Sequence, residues 1–225
     1  VAGGMAGGSA DAAAALLAVD QYLYEKRLTE RTLGLEELLA LAAPLGADVP
    51  FVVRAAFPLG GLAVGEGTGT ELRIVELPED MIPLDIVLVA ASEGLSTPQV
   101  FGELDAGRAA GRYPEDDTLI VPSGLLHALT QNEAPIARLH EVGRQLRNDL
   151  QAPAVTLAPE LETILTMDNE SIVEAFVSGS GPTVAILVED APAADELAAA
   201  LRRRGRFAIA TQTPAEIARE LPYST

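Results

Sequence analysis

The chain has 225 residues, 48% of them hydrophobic, and carries a formal charge of −18 from 33 acidic against 15 basic side chains. That length and hydrophobic fraction support a packed core in one large or two modest domains and argue against global disorder. With Lys26 its only lysine, the acidic chain lacks the clustered cations that a nucleic-acid partner demands, and without cysteine it has no disulfide, thiolate nucleophile or cysteine metal site.

His127 and His140 lie in different segments, which argues against a histidine metal cluster. No apolar run reaches membrane-spanning length: the run after Asp11 stops at Asp20, and residues 86–91 lie between Asp85 and Ser92. No membrane partner and a cytoplasmic location are the default expectations.

The chain opens on Gly3-Gly4-Met5-Ala6-Gly7-Gly8-Ser9-Ala10-Asp11 and runs straight into four alanines and two leucines. Four glycines in six positions deliver the backbone to an alanine-rich helix expected over 9–26, with Ala13, Leu16, Leu17 and Leu23 as its apolar stripe and Ser9 or Asp11 as cap. A glycine loop feeding a helix N-terminus presents unpaired N–H donors and the positive end of a dipole, and both suit a phosphate. The stretch alone is equally compatible with a flexible leader. Gly3 and Gly8 have P-loop spacing, but Ser9-Ala10 follows where Lys and Ser/Thr are needed, and no G-x-G-x-x-G can be written.

A second helix is expected over 35–43, with Leu38, Leu39 and Ala42 inward, ending at Pro44. Asp48 just before Val49-Pro50 reads as the N-cap of a third. Residues 60–73 read as short strands around glycine turns, and the proline-bearing acidic link 76–80 as a domain boundary. Beyond it come a buried strand (85–90), a helix opened by Ser96-Thr97-Pro98, and a surface loop (107–117). Helices are expected over 125–130, 134–147 and 159–167. Strand 172–177, a Ser178-Gly179-Ser180-Gly181-Pro182 turn, strand 183–188, helix 191–204 and strand 206–211 follow. The basic run at 202–204 is expected to be a solvated helix C-terminus. The order predicts an α+β fold whose antiparallel sheet has helices on one face.

Three motifs stand in register: the opening glycine loop, Gly-Ala-Asp-Val-Pro-Phe at 46–51, and Val-Ser-Gly-Ser-Gly-Pro-Thr at 177–183. In that order they resemble the GHMP kinase superfamily. Leu45 ahead of the second motif, and Arg147-Asn148-Asp149-Leu150 ahead of the third, bring the resemblance nearest to its members acting on a cytidyl-linked methylerythritol. Homoserine and mevalonate kinases of the superfamily, or a non-catalytic nucleotide-binding relative, remain alternatives.

The resemblance implies a two-domain fold, with a partial N-terminal ATP-binding domain over 1–80 and a ferredoxin-like C-terminal α/β sandwich over 81–225. It implies transfer of the ATP γ-phosphoryl to the 2-hydroxyl of that small-molecule substrate, in the non-mevalonate route to isoprenoid precursors. Gly3, Gly4, Met5, Ala6, Gly7, Gly8, Ser9 and Ala10 would hold the phosphates, with the Ser9 hydroxyl on phosphate or Mg²⁺. Asp48 would accept or orient the proton of the attacking hydroxyl. Thr97 and Phe101 match positions at the cytidine end of substrate, core packing being the other reading of Phe101. Ser178, Gly179, Ser180 and Gly181 would close over the substrate. Asn148 and Asp149 read as structural.

The family's loop usually ends Gly-Gly-Gly-Ser-Ser-Asp, whereas here it is Ala6-Gly7-Gly8-Ser9-Ala10-Asp11; Gly67-Thr68-Gly69-Thr70 stands where Gly-Arg-Gly-Glu is common. The family's lysine-bearing strand precedes the glycine loop, and Lys26 does not match its position. A chain starting inside the loop is therefore expected to bind ATP weakly and to be inactive alone.

Overall fold

The computed structural model describes residues 3–57, 61–78, 83–115, 121–130 and 135–213. Two compact units divide them: residues 6–77 form one, and residues 78–213 with the opening residues 3–5 form the other.

The smaller unit packs three helices, α1 (Gly7–Glu25), α2 (Leu35–Ala42) and α3 (Val49–Ala55), and carries a hairpin of β1 (Leu62–Glu66) and β2 (Glu71–Val75). Its core is small: Ala13, Leu38, Ala42, Val49 and Val53, with Leu16, Leu17 and Leu39 packed around it. Alanine drives α1 by propensity more than by an apolar face. Burial of Asp20 supplements that thin stripe, its two carboxylate oxygens accepting from the Leu33 N–H at 3.1 Å and holding the start of α2. A 3₁₀ turn, Ala43–Leu45, takes up Pro44 and leads into α3.

The larger unit is built on an antiparallel sheet of β3 (Leu84–Ala90), β4 (Ile172–Val177), β5 (Thr183–Val188) and β6 (Ala208–Thr213), in spatial order β4-β5-β3-β6. Consecutive β4 and β5 form a hairpin, β3 lies between β5 and β6, and helices α4 (Thr97–Ala109) and α9 (Ala191–Arg203) fall in the crossovers. This is the ferredoxin-like arrangement. Between α4 and β4 run α5 (Ser123–Thr130), α6 (Pro135–Gln145), α7 (Gln151–Leu157) and α8 (Glu160–Leu165).

Helices cover both faces of this sheet, not one. Val87, Val89, Val184, Ile186 and Val188 face the main core with Ala154, Leu161, Ile164, Leu197 and Leu201. Leu84, Ile86 and Leu187 point the other way, onto Ala128, Leu139 and Val142 of α5 and α6. Successive strand side chains alternate faces, so a doubly covered strand must be apolar throughout. β5 is buried at all six positions. Each such aliphatic side chain contributes about 1.5–3 kcal/mol, which makes β5 the keel of the unit.

Two further expectations differ. α4 runs through Gly107 to Ala109, where a loop was expected from residue 107, because Val100, Leu104 and Gly107 line its inward face. Helix α7 breaks the expected connection between α6 and α8; Pro153 in its first turn is buried with Ala154.

Candidate functional site

The glycine stretch divides between the units. Ala6, the N-cap of α1, sits at φ 48°, ψ 29°, a left-handed conformation that costs an alanine about 1–2 kcal/mol. It therefore stands in αL at a place where the resemblance has glycine. No side chain caps α1: Ser9 and Asp11, expected as caps, lie inside the helix, whose first backbone bond here runs from the Ala10 N–H to the Ala6 carbonyl. The N–H groups of Gly7, Gly8 and Ser9 thus have no intrahelical acceptor and no other partner among the described residues. No acidic side chain lies in this first turn, and open space surrounds the positions where Gly7 and Gly8 lack a Cβ.

The same unit brings Ser9 beside the segment leading to Asp48. A Cβ on Gly46 would lie 3.9 Å from the Ser9 Oγ. On the other side, the turn between β1 and β2 closes on Ala47: a Cβ on Gly69 (φ +93°) would lie 3.5 Å from the Ala47 Cβ. Asp48 occupies the N-cap position of α3, with Pro50 in the first turn, yet its side chain makes no cap bond. The expected cap position is present and the capping bond is not. The exposed Asp48 carboxylate has no hydrogen bond or ion pair with any described residue. A carboxylate held on a helix start and left unpartnered can accept a proton or a hydroxyl hydrogen bond from a ligand. Lys26 lies over the Tyr22 ring at 5.6 Å, past the end of α1 and about 25 Å along the helix from Ser9.

The larger unit gathers Gly3, Gly4 and the turn between β4 and β5. The Ser178 hydroxyl donates to the Gly4 carbonyl at 2.7 Å, and the Thr183 hydroxyl donates to the Gly3 carbonyl at 2.6 Å. Gly4, at φ +66°, lies flush against this turn; a Cβ there would come within 2.5 Å of the Ser178 carbonyl oxygen and 2.6 Å of that of Gly181. Ser180 is buried and shares a 2.9 Å hydrogen bond with the Thr97 hydroxyl at the start of α4. Phe101, one helical turn on, is 49% exposed, so plain core packing does not account for it. Val100 and Leu104 are the residues α4 gives to the core.

Thr183, the last residue of the 177–183 motif, and Asn148, expected to be structural, both bond into this cluster. The Asn148 side-chain amide donates to the carbonyls of Val177 (2.7 Å) and Gly179 (2.8 Å) and accepts from the Leu150 N–H (2.9 Å). Asp149 takes Arg108 at 2.9 Å and Arg147 at 2.8 Å. A cavity of about 450 Å³ lies beside them, lined by Leu104, Arg108, Tyr113 and Asn148 among others, and none of the expected ligand-contacting residues lines it. Before α4, the Ser92 hydroxyl and N–H both donate to Glu160 at 2.7 Å, and these bonds, the hydroxyl foremost, hold the Glu160 carboxyl below the usual carboxylate range. Among the described residues no three His, Cys, Asp or Glu side chains group as a metal site, and no helix is long and apolar enough to cross a membrane.

Residues 126–206 match the family model described as GHMP kinases C terminal. Over 97% of its length the chain is 43% identical to the 4-diphosphocytidyl-2-C-methyl-D-erythritol kinase of Paenarthrobacter aurescens, spanning 63% of that protein. It is 42% identical to the kinase of the same name from Corynebacterium jeikeium, spanning 59% of it. The chain thus spans about three-fifths of the length of these curated relatives. Among solved structures, a 4-(cytidine 5'-diphospho)-2C-methyl-D-erythritol kinase aligns with a TM-score of 0.66 at 31% identity, over 94% of this chain and 66% of that one. A homoserine kinase from Cytophaga hutchinsonii aligns with a TM-score of 0.64 at 16% identity, over 96% and 67%, a likeness of fold.

Proposed function

We propose that the chain is part of a GHMP kinase, an ATP-dependent phosphotransferase, and that it serves to phosphorylate the 2-hydroxyl of 4-diphosphocytidyl-2-C-methyl-D-erythritol; the family match over residues 126–206 and the 43% identity to a kinase of that name support the reading. The observation that carries the reading is the pairing, in one unit, of an uncapped helix N-terminus with an unpartnered aspartate. The N–H groups of Gly7, Gly8 and Ser9 are free to bind anionic oxygens, and the Ser9 hydroxyl lies by Gly46, two residues before Asp48.

In this reading the backbone of residues 3–9 receives the ATP phosphates, with Met5 contributing main chain only; the Ala10 N–H, expected among these donors, is already committed to the Ala6 carbonyl at 2.9 Å. The donor set fits the group: backbone N–H groups at a dipole's positive end, no acidic side chain in the turn, and glycines that let phosphate reach the main chain. Mg²⁺ suits the same place through the Ser9 hydroxyl, since it is commonly held by one or two protein oxygens and the nucleotide's own phosphates. When bound it neutralises charge on the transferring group. Asp48 accepts a hydrogen bond from the substrate 2-hydroxyl and takes its proton as the oxygen attacks. Phe101 offers its exposed ring face to the cytosine, and Thr97 with the turn at 178–181 bounds the substrate end.

The test is a phosphoryl-transfer assay on the full-length protein with ATP and, separately, the cytidyl-linked methylerythritol, homoserine and mevalonate. Preference for the cytidyl substrate by at least tenfold in kcat/KM is expected. Preference for either of the others assigns the chain elsewhere in the superfamily. ATP binding without transfer to any of the three assigns a non-catalytic relative.

A further inference from the structure

We propose that Asn148 is a positioning residue for the phosphate loop, acting through the turn at residues 178–182, with Ser178 and Thr183 passing its effect to the loop backbone. The inference rests on residues 3–9 being the phosphate cradle; it adds what sets the direction of that cradle's first donors.

Every polar position of the Asn148 amide is used. Its nitrogen holds the carbonyls of Val177 and Gly179, and its oxygen is held by the Leu150 N–H. Gln151 completes the grip by accepting from the Val177 N–H at 2.9 Å. The corner is itself tied to α4 through Asp149 and Arg108. Gly179 (φ +55°) and Gly181 (φ +75°) give the turn its shape but no side chain to hold it. Asn148 supplies what those glycines cannot.

The turn then acts on the loop by peptide geometry. In a planar trans peptide the C=O and the following N–H point in opposite directions. The hydroxyls of Thr183 and Ser178 draw the Gly3 and Gly4 carbonyls onto the turn, so the N–H groups of Gly4 and Met5 face away from it. Neither N–H has a partner among the described residues. Two donors are thereby aimed outward, in a direction fixed by two hydroxyls on a turn that Asn148 holds. The same turn bonds Thr97 through Ser180, so its displacement also reaches the helix carrying Phe101.

The experiment compares wild type with Asn148→Asp, which keeps the acceptor for the Leu150 N–H and removes both donors, and with Thr183→Val and Ser178→Ala, each of which removes one hydroxyl link. ¹⁵N relaxation of the nucleotide-free full chain reads the loop directly. Order parameters of Gly4 and Met5 should fall from about 0.85, a rigid value, to below about 0.6 in Asn148→Asp, with β3 and β5 unchanged. The single-link variants should show a smaller fall at the peptide each one anchors. In the transfer assay kcat should fall roughly 10–100-fold, the scale of a misplaced reacting group, a larger change than any rise in the KM for the cytidyl substrate, whose end the same turn bounds. A merely structural asparagine would lower the melting temperature and leave the order parameters of the folded state and the split between kcat and KM unmoved. Unchanged Gly4 and Met5 order parameters in the folded variants overturn the proposal. If Asn148→Asp does not fold, Thr183→Val and Ser178→Ala decide by the same criterion. If wild type shows no ATP-dependent shift at residues 3–9, the phosphate reading falls, whereas the nucleotide-free order parameters still decide the positioning.

Discussion

The turn between β4 and β5 and the corner where Ser9 approaches Gly46 are both glycine-rich, and they treat their polar groups in opposite ways. Around the turn the side chains of Asn148, Gln151, Thr97, Ser178, Ser180 and Thr183 are all hydrogen-bonded. At the corner the N–H groups of Gly7, Gly8 and Ser9 and the carboxylate of Asp48 have no partner among the described residues. A hydrogen bond adds only about 0.5–1.5 kcal/mol net, but an unpaired polar group is costly when water is excluded. The corner is exposed at Gly7, Gly8 and Asp48, so water can satisfy its groups and they stay available to a ligand, whereas the polar groups of the turn are already committed to one another. In the proposed function this difference in bonding separates scaffold from chemistry.

Breaking the unpaired side should give the largest effect. Asp48→Asn is expected to lower turnover by about 10²–10⁴, the usual worth of a general base, with the melting temperature nearly unchanged because no described contact is lost. Steady-state kinetics with calorimetry checks both halves, and a large drop in melting temperature would move Asp48 to the scaffold side. Next is Gly4→Ala, which tests the paired side. Its Cβ would meet two backbone oxygens at 2.5 and 2.6 Å in a left-handed conformation, so loop and turn must separate. ATP affinity should fall at least tenfold by titration calorimetry; wild-type affinity would show that this seat is not needed for binding.

Phe101→Ala sharpens the contrast from α4. The ring is half exposed, so stability should hold, while the KM for the cytidyl substrate rises about 5–150-fold if the ring stacks on a base. Equal losses in stability and KM would return Phe101 to the core. The smallest effect concerns Glu37, held down to about 2 by the Arg31 guanidinium and the Gly34 N–H. A carboxyl lowered on folding contributes stability above its ordinary value of 4.5, and loses it as pH falls toward about 2. Glu37→Gln should therefore flatten the acid side of the unfolding profile of residues 6–77 between those values. Both partners are exposed, so the change will be slight.

Much of the fold was legible because local patterns decide it. The apolar runs flanking Ser178-Gly179-Ser180-Gly181-Pro182 predict β4 and β5 to the residue. The unbroken apolar run of β5 also carried the sign of a sheet covered on both faces, although one covered face was expected. Helix α7 was hidden by Pro153 and the β-branched Val155 and Thr156, whose weak propensity is overridden by burial of Pro153 and Ala154. At the site, the loop motifs pointed to Ser9 and Asp48, but spacing could not tell whether Asp48 caps its helix or leaves its carboxylate free. The links that Thr183 and Asn148 make were illegible for a simpler reason. Their partners lie 180, 29 and 31 positions away along the chain, and only the folded sheet brings them together.

The most direct measurement follows phosphoryl transfer from γ-labelled ATP to the cytidyl-linked methylerythritol by the full-length protein and by Asp48→Asn, with ATP binding recorded for both. The unpaired corner as the seat of chemistry predicts label on the 2-hydroxyl from wild type, at least about 100-fold slower transfer by the variant, and equal ATP affinity. Transfer by Asp48→Asn at the wild-type rate would contradict it.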